Sequence, residues 1–475
     1  MKNWHHQAHE WQIGRDKRAM ALLWSMRTGK SKAVIDKTLF QYKRGKIEGA
    51  LVIAPNGVHI NWTANEISRW GSGVTFAWST PHRADFDVMA KFEAFLAAPG
   101  LKWFAINMEA MNNLDAQKAI RRFLAACHRK FHMIVSEAHH FGRAGAKRTR
   151  LARGLAKHAA YRTVETGTAI LNSPLRAFSI FEILEPGWSG FETYKQFVNH
   201  FAEFIPQPKS MYRRRPKLKG YKNLDELREL MAKFSSVVLR EDVDDMPELI
   251  RTERPVVMSE VQRHAYLEMV AKHLVELEGG GMVSAKDGGA RFIKLQQIVN
   301  GYLMHEGRII DIDPDAPIYA ATIEQIEGTL PGKSIVWCRF REDIRRLKKK
   351  LDEAGIQYLE YHGGVPTAQR EPVRLAFQND DAHVVLLGQP DAGGEGKDFS
   401  RADAVIFFSS TPNAKTIAQS EERATAKGGK SVAIVRMTTP GTVDDRNWEI
   451  VDGKITLADT VSGRGLRDFL LQTSI

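Results

Sequence analysis

Short, almost uninterrupted apolar runs recur along this 475-residue chain, each followed by a helical pattern. ALVIA (50–54), WFAI (103–106), HMIV (132–135) and YRTVE (161–165) form a first series. SIVWC (334–338), QYLEY (357–361), HVVLL (383–387), AVIFF (404–408) and SVAIV (431–435) form a second. A strand that is apolar on both faces has no solvated side, so it belongs in a parallel sheet covered by helices above and below. Two series predict two α/β bodies, in line with a prior of roughly 150 residues per domain. From about 186 to 310 the pattern turns to charged helices, as in LDELRELMAKF (224–234) and VQRHAYLEMVAKHLVELEGGG (261–281). GGGMVSAKDGG (279–289) reads there as a loop.

Composition narrows the class of function. A hydrophobic share of 43% with 26% charged residues is ordinary globular usage, which excludes a disordered or collagen-like chain. The excess of Lys and Arg over Asp and Glu, 68 against 56, favours polyanionic partners. Cys127 and Cys338 are far apart, which excludes a disulfide scaffold and a structural zinc site and fits a reducing compartment. The start, MKNWHHQAHEWQIGRDKR, has no apolar leader segment, and no run approaches the ~18 residues of a membrane span. A soluble intracellular protein is the expectation.

Two local motifs carry chemistry. In LLWSMRTGKSKAVID (22–36), Thr28-Gly29-Lys30-Ser31 stands between an apolar run and an amphipathic helix. A phosphate loop needs inward N–H groups, a lysine for the β/γ-phosphates and a hydroxyl for Mg2+, and Gly29-Lys30-Ser31 offers all three. Trp24 occupies the place of the first glycine of the strict pattern, and Arg27 stands where a small residue is usual. In FHMIVSEAHHF (131–141) an apolar strand ends in Ser136-Glu137-Ala138-His139. A carboxylate at such a strand end can orient an attacking water, and Glu137 is the candidate. The bland alternatives are a chance Gly-Lys-Ser at a helix start and an ordinary exposed carboxylate.

The order of motifs resembles superfamily-two nucleic-acid-dependent ATPases of the Swi/Snf-like group. The resemblance is carried by His6-Gln7, LVIAPNGVHINWTANEISRW (51–70), INMEAM (106–111) and the SEAH box. It continues through ETGTAILNSPLRAFSIFEILEPG (165–187), KNLDELRELMAKFSSVVLREDVDDMPE (222–248) and LQQIVNG (295–301). KSIVWCRF, YHGGVPTAQREPVRLAFQND (361–380), GGEGKDFSRADAVIFFSSTPN (393–413) and QSEERA (419–424) complete it.

The resemblance implies two RecA-like parallel-sheet domains, 1–187 and 311–475, with a helical Swi/Snf-type insertion and linker at 188–310. It implies ATP and Mg2+ as cofactors. Gln7, Thr28, Gly29, Lys30, Ser31, Gly394 and Gly396 would bind ATP, and Ser31, Ser136 and Glu137 would hold Mg2+ through water. Lys30, Glu137 and Arg423 would be catalytic, with Arg423 as the arginine finger from the second domain. His139, Thr166, Gly167, Thr168 and Gln419 would couple the motifs. Pro55, Asn56, His362 and Gly363 would face DNA. The implied activity is ATP-driven translocation on, or unwinding of, duplex or branched DNA, independent of sequence. A compact chain of this kind fits a monomer in the cytoplasm of a bacterial or phage-infected cell.

Three departures qualify the pattern. Ser136 replaces the aspartate that anchors Mg2+, and a neutral hydroxyl is expected to hold the ion less tightly. Thr166-Gly167-Thr168-Ala169 follows Glu165, where an apolar residue is usual. Ala426 stands in place of the second arginine of the last motif, with Lys427 one residue late. An ATPase-attenuated DNA clamp of the same fold is therefore an alternative, and an RNA helicase is another.

Basic runs supply further candidates. KSMYRRRPKLKGYK (209–222) holds seven basic residues and no acidic ones, with Arg213, Arg214 and Arg215 as phosphate contacts. GRAGAKRTRLARGLAKH (142–158) adds Arg148 and Arg150. RRLKKK (345–350) reads as a solvated helix face.

Overall fold

The computed structural model describes residues 3–79, 86–167, 173–205, 216, 218–278, 285–393 and 397–473. The chain divides into two units, Met1–Asp244 with Lys454–Ile475, and Asp245–Gly453.

The first unit is built on β1 (Ala19–Trp24), β2 (Gly49–Ala54), β3 (Val74–Trp78), β4 (Lys102–Asn107), β5 (Phe131–Ser136) and β6 (Tyr161–Glu165). A short antiparallel pair, β7 (Ala202–Phe204) and β8 (Leu218–Tyr221), precedes β9 (Ser235–Val238). The main sheet runs β3-β4-β2-β5-β6-β1-β9, and every pairing in it is parallel. Each parallel connection needs a crossover, which the intervening helices supply. Every residue of β1, β2 and β5 is buried. Each fully buried Leu, Ile, Val or Phe in these strands contributes roughly 1.5–3 kcal/mol of transfer free energy. Toward the β3 edge an aromatic cluster takes over. Phe76 and Phe92 lie 5.1 Å apart, and Phe104 and Phe123 lie 5.3 Å apart.

In the second unit, β10 (Leu249–Pro255) and the antiparallel pair β11 (Tyr302–His305) and β12 (Arg308–Asp311) come first. They are followed by β13 (Lys333–Trp337), β14 (Tyr358–Tyr361), β15 (Val385–Gly388), β16 (Ala402–Phe407) and β17 (Val432–Thr438). The parallel sheet runs β10-β17-β16-β13-β15-β14. Helix Ala285–Val299 and β11 are tied to this sheet through Asp343. Its carboxylate accepts from Ser409 Oγ at 2.6 Å, Tyr302 OH at 2.8 Å and Asn300 Nδ2 at 3.0 Å. Burial still wins over these bonds and pushes the Asp343 carboxyl up to about 6.

All nine apolar runs lie on strands, so the expected fold class of two parallel-sheet bodies stands. The two units divide at Asp244/Asp245 and Gly453/Lys454. The segment 188–310 contributes β7 to β12 as well as helices, and it is shared between the units. Ala285–Gly289, expected as loop, begin helix Ala285–Val299. The helix carrying RRLKKK is not simply solvated. Arg346 is buried and donates to Glu342 and Asp311, and Lys348 pairs with Glu360.

Candidate functional site

In an open parallel sheet, ligand groups gather beyond the carboxyl ends of the strands. In the first unit, β5, β6 and β1 are neighbours, and their ends carry Glu137, Thr166 and the loop 25–29. The loop enters helix Lys30–Lys43 through Gly29, whose backbone is left-handed with φ 78°. The backbone there favours glycine, and a Cβ would lie 2.3 Å from Gln7 Nε2 and displace that amide. The N–H groups of Lys30, Ser31 and Lys32 head this helix and have no carbonyl four residues back within it.

Side chains brace the loop from both sides. Thr28 Oγ1 donates to Ser25 O at 2.7 Å, and the His6 ring lies 2.7 Å from Thr28 O through Nε2. Gln7 Nε2 donates to Gly29 O at 3.1 Å. Lys30 Nζ donates to Trp24 O at 2.9 Å and Ser25 O at 3.0 Å, so its ammonium lies within the curl of the loop. Trp24, in place of the first glycine, is fully buried, and its Nε1 donates to Ser236 Oγ at 2.9 Å. The departure from the strict pattern is thus absorbed by the β1–β9 contact.

Arg27 and Glu137 hold left-handed backbone, with φ 61° and 52°. Both lie in turns that follow strand ends, where such conformations persist only if their surroundings enforce them. His139 Nδ1 lies 3.2 Å from Glu137 Oε2 and 3.0 Å from Thr166 Oγ1, which links the two turns. Gly167 packs against the loop, and a Cβ there would meet Met26 N and Trp24 O at 3.3 Å.

Ser136 does not stand alone. Its Oγ donates to Glu165 Oε1 at 2.6 Å across the β5–β6 pairing, where the two residues are in register. Glu165 is fully buried and Oε2 has no hydrogen-bond partner. Burial pushes its carboxyl up to about 7, against the pull of Ser136 and Lys30. Sequence reasoning noted Glu165 as an oddity and missed the pair.

Asn56 is exposed at the end of β2, and Pro55 beside it is buried. Arg150 is exposed on helix Lys147–Ala156, and Arg148 donates to His140 O at 2.9 Å. In the second unit, His362 Nε2 lies 3.0 Å from Glu360 Oε2, and Gly363 is exposed. Gln419 is buried, and Arg423 is buried with Nη1 donating to Pro390 O at 2.8 Å. Gly363, Arg370, Gln389, Pro390 and Asp391 line a cavity of about 570 Å³ at the strand ends of this unit. Arg339, which sequence reasoning missed, lines it too. Arg213, Arg214, Arg215, Thr168, Ala169, Gly394 and Gly396 lie outside the described residues.

The family model of the SNF2-related domain matches residues 7–307, and that of the helicase conserved C-terminal domain matches residues 319–428. The chain belongs to the SNF2-related family. Among curated relatives of this SNF2-related chain, the TATA-binding protein-associated factor mot1 of Aspergillus fumigatus is 24% identical over 377 residues. That match covers 69% of this chain and 20% of the relative. An uncharacterized ATP-dependent helicase of Mycoplasma genitalium is 23% identical over 440 residues, covering 90% of this chain and 39% of the relative. The chain therefore spans about a fifth of the first relative and two fifths of the second. A solved structure, the Sulfolobus solfataricus SWI2/SNF2 ATPase core in complex with dsDNA, aligns over 97% of this chain and 93% of its own. It is 17% identical, with a TM-score of 0.42.

Proposed function

We propose that this SNF2-related chain is an ATP-driven DNA translocase or helicase acting on duplex or branched DNA. The observation that carries the reading is the loop at Gly29 and Lys30, set beside the strand-end carboxylate Glu137. In this reading the helix-heading N–H groups of Lys30, Ser31 and Lys32 receive the nucleotide phosphates, favoured by the helix dipole. Lys30 Nζ exchanges the carbonyls of Trp24 and Ser25 for phosphate oxygens, trading neutral hydrogen bonds for charge-assisted ones. Gln7 and Thr28 hold the loop in shape, and Gly394 and Gly396 are proposed as further ATP-binding positions. Glu137, fixed by its backbone turn and by His139, accepts a proton from the attacking water and orients it. Arg423 is the arginine proposed to stabilise charge on the departing phosphoryl group.

Mg2+ would be held by Ser31, with Ser136 and Glu137 through water, and would neutralise charge on the β- and γ-phosphates. The orphaned, buried carboxylate oxygen of Glu165 beside Ser136 fits a site that receives a cation. Pro55, Asn56, Arg148, Arg150, Arg213, Arg214, Arg215, His362 and Gly363 are proposed DNA contacts. Tracking needs the phosphate backbone and not base edges, so activity should be independent of sequence. His139, Thr166, Gly167, Thr168 and Gln419 are proposed to link DNA engagement to the hydrolytic groups.

A strand-displacement assay with ATP tests the substrate class by comparing forked DNA, flush DNA duplex and RNA duplex. Displacement on DNA that requires ATP supports the reading. Displacement confined to the RNA duplex would replace it with an RNA helicase.

A further inference from the structure

Two departures from the family pattern meet in space. The chain lacks a carboxylate at position 136 and has an unexpected one at position 165, and these positions face each other on neighbouring strands. We infer that Glu165 supplies the carboxylate that orders the Mg2+ of bound nucleotide, in place of the missing acid at 136, with Ser136 as its positioning residue. This rests on the ATP reading above and assigns a group that the family resemblance does not.

Its placement, its bonds and its surroundings support it. Glu165 sits at the last position of β6, opposite Leu22 of β1, the strand that leads into the loop 25–29. Thr166 N, the next residue, donates to Leu22 O at 3.1 Å, so the carboxylate is anchored against the strand that feeds the phosphate loop. Its Oε1 is fixed by Ser136 Oγ, while Oε2 is buried without a hydrogen-bond partner. The cation whose field reaches it is Lys30, and the carboxylates that repel it are Glu137 and Glu66. A buried carboxylate with an unpaired oxygen is costly and is retained where a cation or a proton completes it. No cluster of three or more His, Cys, Asp or Glu side chains among the described residues is arranged to hold a metal alone. That suits Mg2+, which takes one or two carboxylates, water and substrate phosphates in preference to an all-protein cage. The geometry also revises the expectation for Ser136. Aspartate placed there alone would set two carboxylates against each other.

The test measures nucleotide affinity by titrating a non-hydrolysable ATP analogue, with Mn2+ and with EDTA, by calorimetry. The readout is the metal-linked tightening, meaning the ratio of the two dissociation constants. Glu165→Gln keeps the Oε1 acceptor for Ser136 and removes the charge. It should reduce the tightening by roughly 10–100-fold, the usual effect of outer-shell groups around a metal. Ser136→Ala should reduce it in part. The exchange Ser136→Asp with Glu165→Leu should restore it. Full tightening in Glu165→Gln would overturn the inference, and so would an exchange variant that folds but stays metal-insensitive. If Glu165→Gln fails to fold, the exchange variant and Ser136→Ala decide by the same ratio. Wild-type protein that binds no nucleotide under either condition would instead overturn the ATP reading itself.

Discussion

Gln7 Nε2 and the carbonyl oxygen of Gly29 are joined by a 3.1 Å hydrogen bond that fastens the first helix to the turn entering the second. A Cβ at position 29 would approach the same amide to 2.3 Å, so a side chain there would push Gln7 off the carbonyl. The Gly29 carbonyl also accepts from Ala33 N at 3.4 Å, so one oxygen ties the first helix to the opening turn of the second.

Gly29→Ala should therefore damage nucleotide binding well beyond its effect on folding. A residue with a Cβ in left-handed backbone costs roughly 1–2 kcal/mol, and displacing Gln7 costs the loop its brace. Thermal unfolding should show a modest loss of stability. Titration with a fluorescent ATP analogue should show affinity lowered about tenfold or more, which corresponds to about 1.4 kcal/mol. Unchanged affinity would remove the loop from the nucleotide site.

His139→Ala should uncouple the two turns that Nδ1 now links, at 3.2 Å to Glu137 Oε2 and 3.0 Å to Thr166 Oγ1. Basal ATP hydrolysis should fall less than the DNA-stimulated rate, so the stimulation ratio drops severalfold while nucleotide affinity holds. Steady-state phosphate release with and without DNA checks this. An equal fall in both rates would make His139 a structural support only.

Salt dependence separates phosphate contacts from solvated cations. Replacing Arg213, Arg214 and Arg215 with alanine should weaken binding uniformly across DNA sequences. The slope of log K against log salt should drop by about 0.9 per lost contact on B-DNA. Arg150→Ala, at an exposed position of its helix, should remove about one contact. An unchanged slope in either variant would assign that run to the solvated surface.

Asp343 and Asp444 predict a pH effect on stability. Burial pushes their carboxyls up to about 6 and about 7, from a usual 3.8. A carboxyl that binds its proton more tightly in the folded state adds stability that is complete below the unfolded pKa. That contribution is lost as pH rises through the folded pKa. From about pH 4 to about pH 7, then, both groups should lower the unfolding midpoint. Asp343→Asn with Asp444→Asn should flatten that part of the profile, although the starting stability falls with the lost acceptors around Ser409 and Tyr302. A profile of unchanged slope in the double variant would contradict the assignment.

Most runs that were legible in the sequence lie on wholly or largely buried strands such as β2, β5 and β13, where burial leaves little room for polar residues, whereas the half-buried β14 was legible from its aromatic residues. β10 shows the opposite case. Its residues IRTERP are charged and mostly exposed, it lies at a sheet edge, and it ends in Pro255, so only pairing with β17 marks it as a strand. The loop at Gly29 was legible because its chemistry is local. The Ser136–Glu165 pair was not, because 29 residues separate its members and only the β5–β6 register brings them opposite each other. The signal was present as two departures of opposite sign, a carboxylate missing and a carboxylate gained.

In the proposed function, Lys30 serves ATP hydrolysis that DNA switches on. Phosphate release by the wild-type protein and by Lys30→Ala, each with and without duplex DNA, tests it most directly, with DNA affinity measured in parallel. DNA-stimulated release is expected in wild type and its loss in Lys30→Ala, with little change in DNA affinity, because the proposed phosphate contacts lie elsewhere. Equal DNA-stimulated turnover in the two proteins would contradict it.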